Sequence, residues 1–258
     1  MSLQDPNTKT IIFTDLDGTL LDHDTYSFEA AREMLGYLKA HKIPLVIVTS
    51  KTAAEVRELL NLLSLDTPAI VENGAGIVQG DTLTSFGKSY EEVRCAFTCY
   101  AKHFDIRGFY DMSTQEIARL TDLPLIQAAK AKERLFTEPF IMKDRAQLSR
   151  LQQLADADGL AVIEGGRFYH LITKGQDKAA AVTKLKKIYE TKEAAKYTSL
   201  ALGDGANDVS MLQSVDVAFL IPKTDGSYMQ CDIHGLIKAP FAGPKGWNAV
   251  LKEYFHVT

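Results

Sequence analysis

Tryptophan occurs once in this 258-residue chain and cysteine three times. Long apolar runs and basic tracts are missing altogether. The longest apolar stretches, such as residues 44–48 and 217–221, fall far short of the ~20 residues a membrane-spanning helix needs. Residues 1–10 are polar, lack the apolar segment of a secretory signal, and read as a loose tail. Three cysteines (Cys95, Cys99 and Cys231) cannot build a disulfide framework, and their odd number suits a reducing cytoplasm. A formal net charge of −4 argues against a nucleic-acid partner. With 46% hydrophobic and 24% charged residues, the composition is that of an ordinary globular protein.

Two ligand-binding signatures are also absent. No GxxxxGK[ST] phosphate loop occurs. The run 74–80, Gly-Ala-Gly-Ile-Val-Gln-Gly, imitates a dinucleotide fingerprint but carries Gln79 where glycine or alanine is needed, and Ile77-Val78 read as strand. Cys95, Cys99 and His103 fall at i, i+4 and i+8, as three metal ligands on one helix would. Val93, Phe97, Tyr100 and Phe104 mark a different, apolar face of that helix. The cysteines then lie on its flank, and no fourth ligand is near in sequence.

What is present begins with alternation. Strand-like 10–14 and 44–49 and helical 28–41 and 53–63 precede a strand at 69–72 that Asn73-Gly74 closes. Such βαβα order implies a parallel sheet with right-handed crossovers, the third strand included. From about residue 86 the pattern becomes mixed. Helices are expected near 90–104, 114–120, 125–132 and 145–154, strands near 135–142, 160–164 and 168–173, and a short segment at 108–110. Alternation resumes near 174, with a helix from 177, a strand ending at Leu202, another at 217–221 and a closing helix at 246–255. The expected fold is α/β: a Rossmann-like, doubly wound parallel sheet formed by 1–85 and 174–258, with 86–173 inserted as an α+β cap. No internal repeat or low-complexity segment interrupts it.

Four short motifs fall at the ends of these elements. Ile11-Ile12-Phe13-Thr14-Asp15-Leu16-Asp17-Gly18-Thr19 ends an apolar strand in two carboxylates. Carboxylates this close repel unless a cation sits between them, and Mg²⁺ favours one or two carboxylates plus a phosphate. Thr49 ends the second strand. Lys178 opens a helix after Gly175-Gln176-Asp177. Leu202-Gly203-Asp204-Gly205-Ala206-Asn207-Asp208 ends a later strand in further acids. Each alone has a plainer reading: a solvated acidic turn, a strand-end hydroxyl, a solvated lysine, or an acid favoured by a helix N-terminus. Together they occupy the strand ends and helix starts where open α/β sheets bind ligands.

In this order the motifs resemble the haloacid dehalogenase superfamily, over nearly the whole chain, and the place of the insert resembles its C2-capped class. The resemblance implies a phosphomonoester hydrolase with Asp15 as nucleophile, Asp17 as general acid and base, and Thr49 and Lys178 on the phosphoryl group. It implies Mg²⁺ held by Asp15, the Asp17 main chain and Asp204, with Asp208 in support.

Further segments narrow it. Thr49-Ser50-Lys51-Thr52, Val71-Glu72-Asn73-Gly74, Arg134-Leu135-Phe136-Thr137-Glu138-Pro139 and Gly165-Gly166-Arg167-Phe168-Tyr169-His170 look like those of the mannosyl-3-phosphoglycerate phosphatases. That likeness implies a phosphorylated sugar–glycerate substrate and binding roles for Lys51, Asn73, Arg134, Glu138, Arg167 and His170. Arg134 and Arg167 suit a glycerate carboxylate; Asn73, Glu138 and His170 suit sugar hydroxyls. A plain surface arginine and an internally satisfied histidine are the simpler readings of Arg167 and His170. Another sugar phosphate or a glucosyl-3-phosphoglycerate, a phosphosugar mutase, and a non-catalytic binding protein are the alternatives. The long insert speaks against a mutase, and the intact Asp15 and Asp17 against loss of catalysis.

Overall fold

The computed structural model describes residues 8–165 and 167–257. The expected loose tail therefore lies outside the described residues, except that Thr8–Thr10 already belong to a strand. In chain order the elements are β1 (Thr8–Thr14), α1 (Arg32–Ala40), β2 (Leu45–Ile47), α2 (Ala53–Leu63), β3 (Ala69–Val71), β4 (Gly76–Gln79) and β5 (Thr82–Ser85). Then come α3 (Tyr90–Tyr100), β6 (Ile106–Gly108), α4 (Thr114–Thr121), α5 (Leu125–Ala131), β7 (Glu138–Met142), α6 (Leu148–Ala157), β8 (Leu160–Glu164) and β9 (Tyr169–Thr173). The chain closes with α7 (Lys178–Glu193), β10 (Lys196–Gly203), α8 (Val209–Gln213), β11 (Val217–Leu220), β12 (Ile237–Lys238) and α9 (Gly243–Phe255).

The described residues form two compact units, one from those up to 49 and from 178 onward, the other from those between 50 and 177. The first holds a five-stranded parallel sheet in the order β12-β11-β10-β1-β2. Its central strand pair reads as parallel strands should, apolar without alternation: Ile11, Ile12 and Phe13 of β1 and Leu200, Ala201 and Leu202 of β10 are fully buried. From α9, Trp247 is fully buried too, and its indole N–H donates to the Thr14 hydroxyl at 3.0 Å. That hydroxyl in turn donates to the Asp15 carbonyl at 2.8 Å. The only tryptophan of the chain thus braces the backbone at the end of β1.

The second unit contains two antiparallel sheets, β3-β4-β5 and β6-β7-β9-β8. The larger one carries α3 and α6 on an apolar core that includes Val93, Phe97, Phe140, Leu151 and Leu171. A smaller core of Phe109, Met112, Ile117 and Ala128 joins α4 and α5. Here the expectation for the third strand is corrected. β3 pairs antiparallel with β4, Val71 opposite Gly76, rather than extending the parallel sheet. The cause is local: Glu72, Asn73 and Gly74 all have positive φ (50°, 59° and 95°), and this left-handed turn reverses the chain. Gly76 is also required, since a Cβ there would stand 2.4 Å from the Phe136 ring.

Candidate active site

Two strand ends and one helix start of the first unit converge on one group of charges. Asp15 follows β1, Asp204 follows β10, and Lys178 is the first residue of α7. The Asp15 N–H donates to the Leu202 carbonyl at 2.9 Å, so the ladder of β1 and β10 itself sets the direction in which the aspartate leaves the sheet. The Lys178 ammonium donates to Asp15 Oδ1 and Asp208 Oδ1, both at 2.6 Å, and its side chain is 1% exposed. Asp208 Oδ2 accepts from the main-chain N–H groups of Asp204 and Gly205 at 3.1 and 3.0 Å. Thr19 donates its hydroxyl to Asp204 Oδ1 at 3.3 Å.

Asp15, Asp204 and Asp208 each offer a carboxylate oxygen within 4.8 Å of the others. Among the described residues, the ammonium paired with these three carboxylates is that of Lys178, which leaves two negative charges, the complement of one divalent cation. Protonation shows the same deficit. Burial, then the charge of Asp208, push the Asp15 carboxyl well above the ordinary carboxylate range despite Lys178. Burial and Asp208 raise Asp204 to about 6. Burial alone would lower the Lys178 ammonium, but Asp15 and Asp208 outweigh it and hold it above the usual lysine range. Hard oxygen ligands with surplus negative charge fit a hard divalent cation. The Gly18 position is shaped by the same cluster: its φ is +79°, and a Cβ would come within 2.8 Å of Asp204 Oδ2. Asp17 contributes no carboxylate to the cluster, and Thr49, two residues past β2, is buried at 1% exposure.

The remaining candidates lie in the second unit. Arg134 is buried; it donates Nε to the Ala131 carbonyl and Nη1 to the Ser50 carbonyl, both at 2.9 Å. Burial and the charge of Arg134 lower the His170 imidazole to about 3, so it is neutral at physiological pH. Glu138 is wholly buried and spends its carboxylate inside the protein, on the Tyr90 hydroxyl at 2.5 Å and the Tyr110 N–H at 3.0 Å. Lys51 lies 3.9 Å from Glu55. Arg167 is half exposed and pairs with Asp122 at 2.7 Å. Asn73 occupies the left-handed turn after β3. Trp247 and Glu72, which buttress Asp15 and Asn73, escape sequence reasoning. Their partners are far along the chain, and only the adjacency of Glu72 to Asn73 hints at a role.

Comparison with known proteins decides the family. Residues 12–107 and 122–223 match the model of the haloacid dehalogenase-like hydrolases. The chain belongs to this family. A relative from Persephonella marina, named glucosyl-3-phosphoglycerate/mannosyl-3-phosphoglycerate phosphatase, is 44% identical over 253 residues, covering 92% of this chain and 94% of its own. A protein of the same name from Methanococcoides burtonii is 37% identical, covering 95% and 97%. With these relatives in the family, the enzyme class is phosphatase. Among solved structures, a haloalkanoate-superfamily phosphatase from Bacteroides thetaiotaomicron superposes with a TM-score of 0.72 at 18% identity, covering 100% of this chain and 99% of its own. A protein from Thermoplasma acidophilum gives 0.73 at 18% identity, covering 97% and 100%. Both show the shared fold. No helix among the described residues is long and apolar enough to cross a membrane.

Proposed function

We propose that this haloacid dehalogenase-like phosphatase hydrolyses mannosyl-3-phosphoglycerate to mannosylglycerate and phosphate, through a phosphoryl intermediate on Asp15. The observation that carries the chemistry is the Asp15 carboxylate, held at a strand end by a buried lysine and crowded by Asp204 and Asp208. The substrate reading is supported by the name borne by both relatives, whose double form extends it to the glucosyl ester.

In this mechanism an Asp15 carboxylate oxygen attacks phosphorus, and the bond to the glycerate oxygen breaks. Asp17 gives that oxygen its proton. It then takes a proton from the water that attacks the aspartyl-phosphate, which restores Asp15 and frees phosphate. Lys178 fixes Asp15 and adds positive charge; Thr49 donates its hydroxyl to a phosphoryl oxygen. Asp15, the Asp17 carbonyl and Asp204, with Asp208 in support, would hold Mg²⁺, which would supply the charge neutralisation that phosphoryl transfer needs.

Metal binding has a readout apart from turnover. At 100 times its dissociation constant Mg²⁺ should stabilise the protein by about 2.7 kcal/mol, which for a chain of this size raises Tm by roughly 5–10 °C. The increment should be smaller at pH 5 than at pH 7.5, because Asp204 keeps its proton up to about pH 6 and the cation must displace it. Thermal melts with and without Mg²⁺ at both pH values check this. An equal shift at both would contradict it.

Substrate choice is tested by phosphate release from a panel that includes both glycosyl-3-phosphoglycerates, free 3-phosphoglycerate and p-nitrophenyl phosphate. Of the two arginines suited to the glycerate carboxylate, Arg134 donates to main-chain carbonyls, whereas Arg167 is half exposed. Arg167→Ala should cut kcat/KM for the preferred glycosyl ester by roughly 10- to 150-fold, the size of one charge-assisted hydrogen bond. Its effect on p-nitrophenyl phosphate should be far smaller. Equal losses on the two esters would remove Arg167 from substrate recognition.

A further inference from the structure

Residues 72–74 place three consecutive positive φ angles in one turn. Asn73 and Gly74 tolerate this, but a glutamate in the left-handed region is strained, and strain of this kind persists only where the surroundings over-determine it. Those surroundings are a cradle built around the Glu72 carboxylate, which is wholly buried. The Leu135 N–H donates to Oε1 at 2.8 Å. The N–H groups of Phe136 and Thr137 donate to Oε2 at 3.2 and 2.9 Å, and the Thr137 hydroxyl at 2.7 Å. The Glu72 N–H itself donates to the Lys51 carbonyl at 3.0 Å. One residue therefore ties three segments together, by its carboxylate to the stretch before β7 and by its main-chain N–H to the stretch after Thr49, with its own turn after β3 between them.

The tie fixes two groups. Arg134 directly precedes the first residue of the cradle, and its guanidinium reaches back to the Ser50 carbonyl. Asn73 is held with its amide oxygen buried and accepting no hydrogen bond from any described residue. A buried acceptor without a donor is unfavourable, so its retention needs a reason. A clamp that served only folding would account for the cradle but not for this oxygen. A hydroxyl donor from outside the chain accounts for both.

We propose that Glu72 is a positioning residue for substrate recognition, holding the Asn73 amide oxygen ready to accept from a sugar hydroxyl and the Arg134 segment in register beside it. This rests on the sugar–glycerate reading given above. Glu72→Gln puts an amide NH₂ against the N–H donors of the cradle and should loosen the turn without touching Asp15. The expected result is a KM for the preferred glycosyl-3-phosphoglycerate raised roughly tenfold or more, with kcat and the p-nitrophenyl phosphate kcat/KM each changed less than about threefold. Because Glu72→Gln is at risk of misfolding, Asn73→Gly is its companion. Glycine accepts the same backbone conformation and removes only the amide, so the same selective rise in KM is expected with an unaltered melting temperature. Equal losses on both esters in Glu72→Gln, or no change in glycosyl-ester KM in Asn73→Gly, would overturn the proposal. If the wild type cleaves a different sugar phosphate best, the substrate reading fails. The same ratios are then taken on that ester, and the positioning role is judged on them separately.

Discussion

Asp15→Asn should reduce turnover by on the order of 10⁴-fold or more, the scale seen when a nucleophile is removed from a concerted site, and should leave the protein as stable as the wild type or more so. The loss follows from chemistry: an amide oxygen is a poor nucleophile toward phosphorus and cannot carry the phosphoryl group to water. The retained stability follows from electrostatics. Burial and the neighbouring Asp208 raise the Asp15 carboxyl despite a lysine at 2.6 Å, so its charge is disfavoured in the folded state. Asparagine keeps an oxygen that can accept from Lys178 and removes the surplus charge. Site residues selected for reactivity commonly oppose stability in this way. The measurement pairs kcat at saturating substrate with a thermal melt. Activity above about one per cent of wild type, measured on protein with an unaltered melt, would rule out Asp15 as the nucleophile.

How much of this was legible beforehand depends on the range over which a residue finds its partners. Asp15 and Asp204 each end an apolar run, and such an end has a local signature: hydrophobic residues, then carboxylates, then glycine. Lys178 likewise stands where a polar turn gives way to a helix. Parallel sheets carry these ends to one edge, so the order of motifs along the chain was enough to suggest one site. β3 misled because its length and apolar content suit either kind of sheet. Its pairing was decided by the left-handed run at 72–74, and a positive φ at Glu72 has no sequence signature. The Glu138 carboxylate accepts from the Tyr90 hydroxyl and the Tyr110 N–H, partners that depend on packing across the antiparallel sheet and leave no local signature in its segment. The same holds for Trp247, which reaches Thr14 from the far end of the chain.

Lys178→Met should be the variant most damaging to the fold as well as to catalysis. The methionine fills much of the lysine's volume but leaves Asp15 and Asp208 buried with no positive partner, and breaking a buried pair from one side costs about 3–5 kcal/mol. The sign of the pH dependence separates this from a simple packing defect. In the wild type Asp15 already lies above the ordinary carboxylate value of 3.8, and Lys178 is what restrains it; without the ammonium it must rise further. A carboxyl whose folded value is raised binds more protons folded than unfolded. The stability it contributes is complete below the ordinary value and is lost as pH climbs toward the raised one. The metal-free variant should therefore regain stability on acidification from pH 8 toward 5, and its deficit against the wild type should narrow. The wild-type lysine, raised rather than lowered, stays charged throughout that window. Denaturant midpoints for both proteins in chelator, taken at several pH values, test the claim. A deficit that is constant with pH would mean that Lys178 acts through its volume alone. A deficit that widens on acidification would reverse the electrostatic assignment of the site.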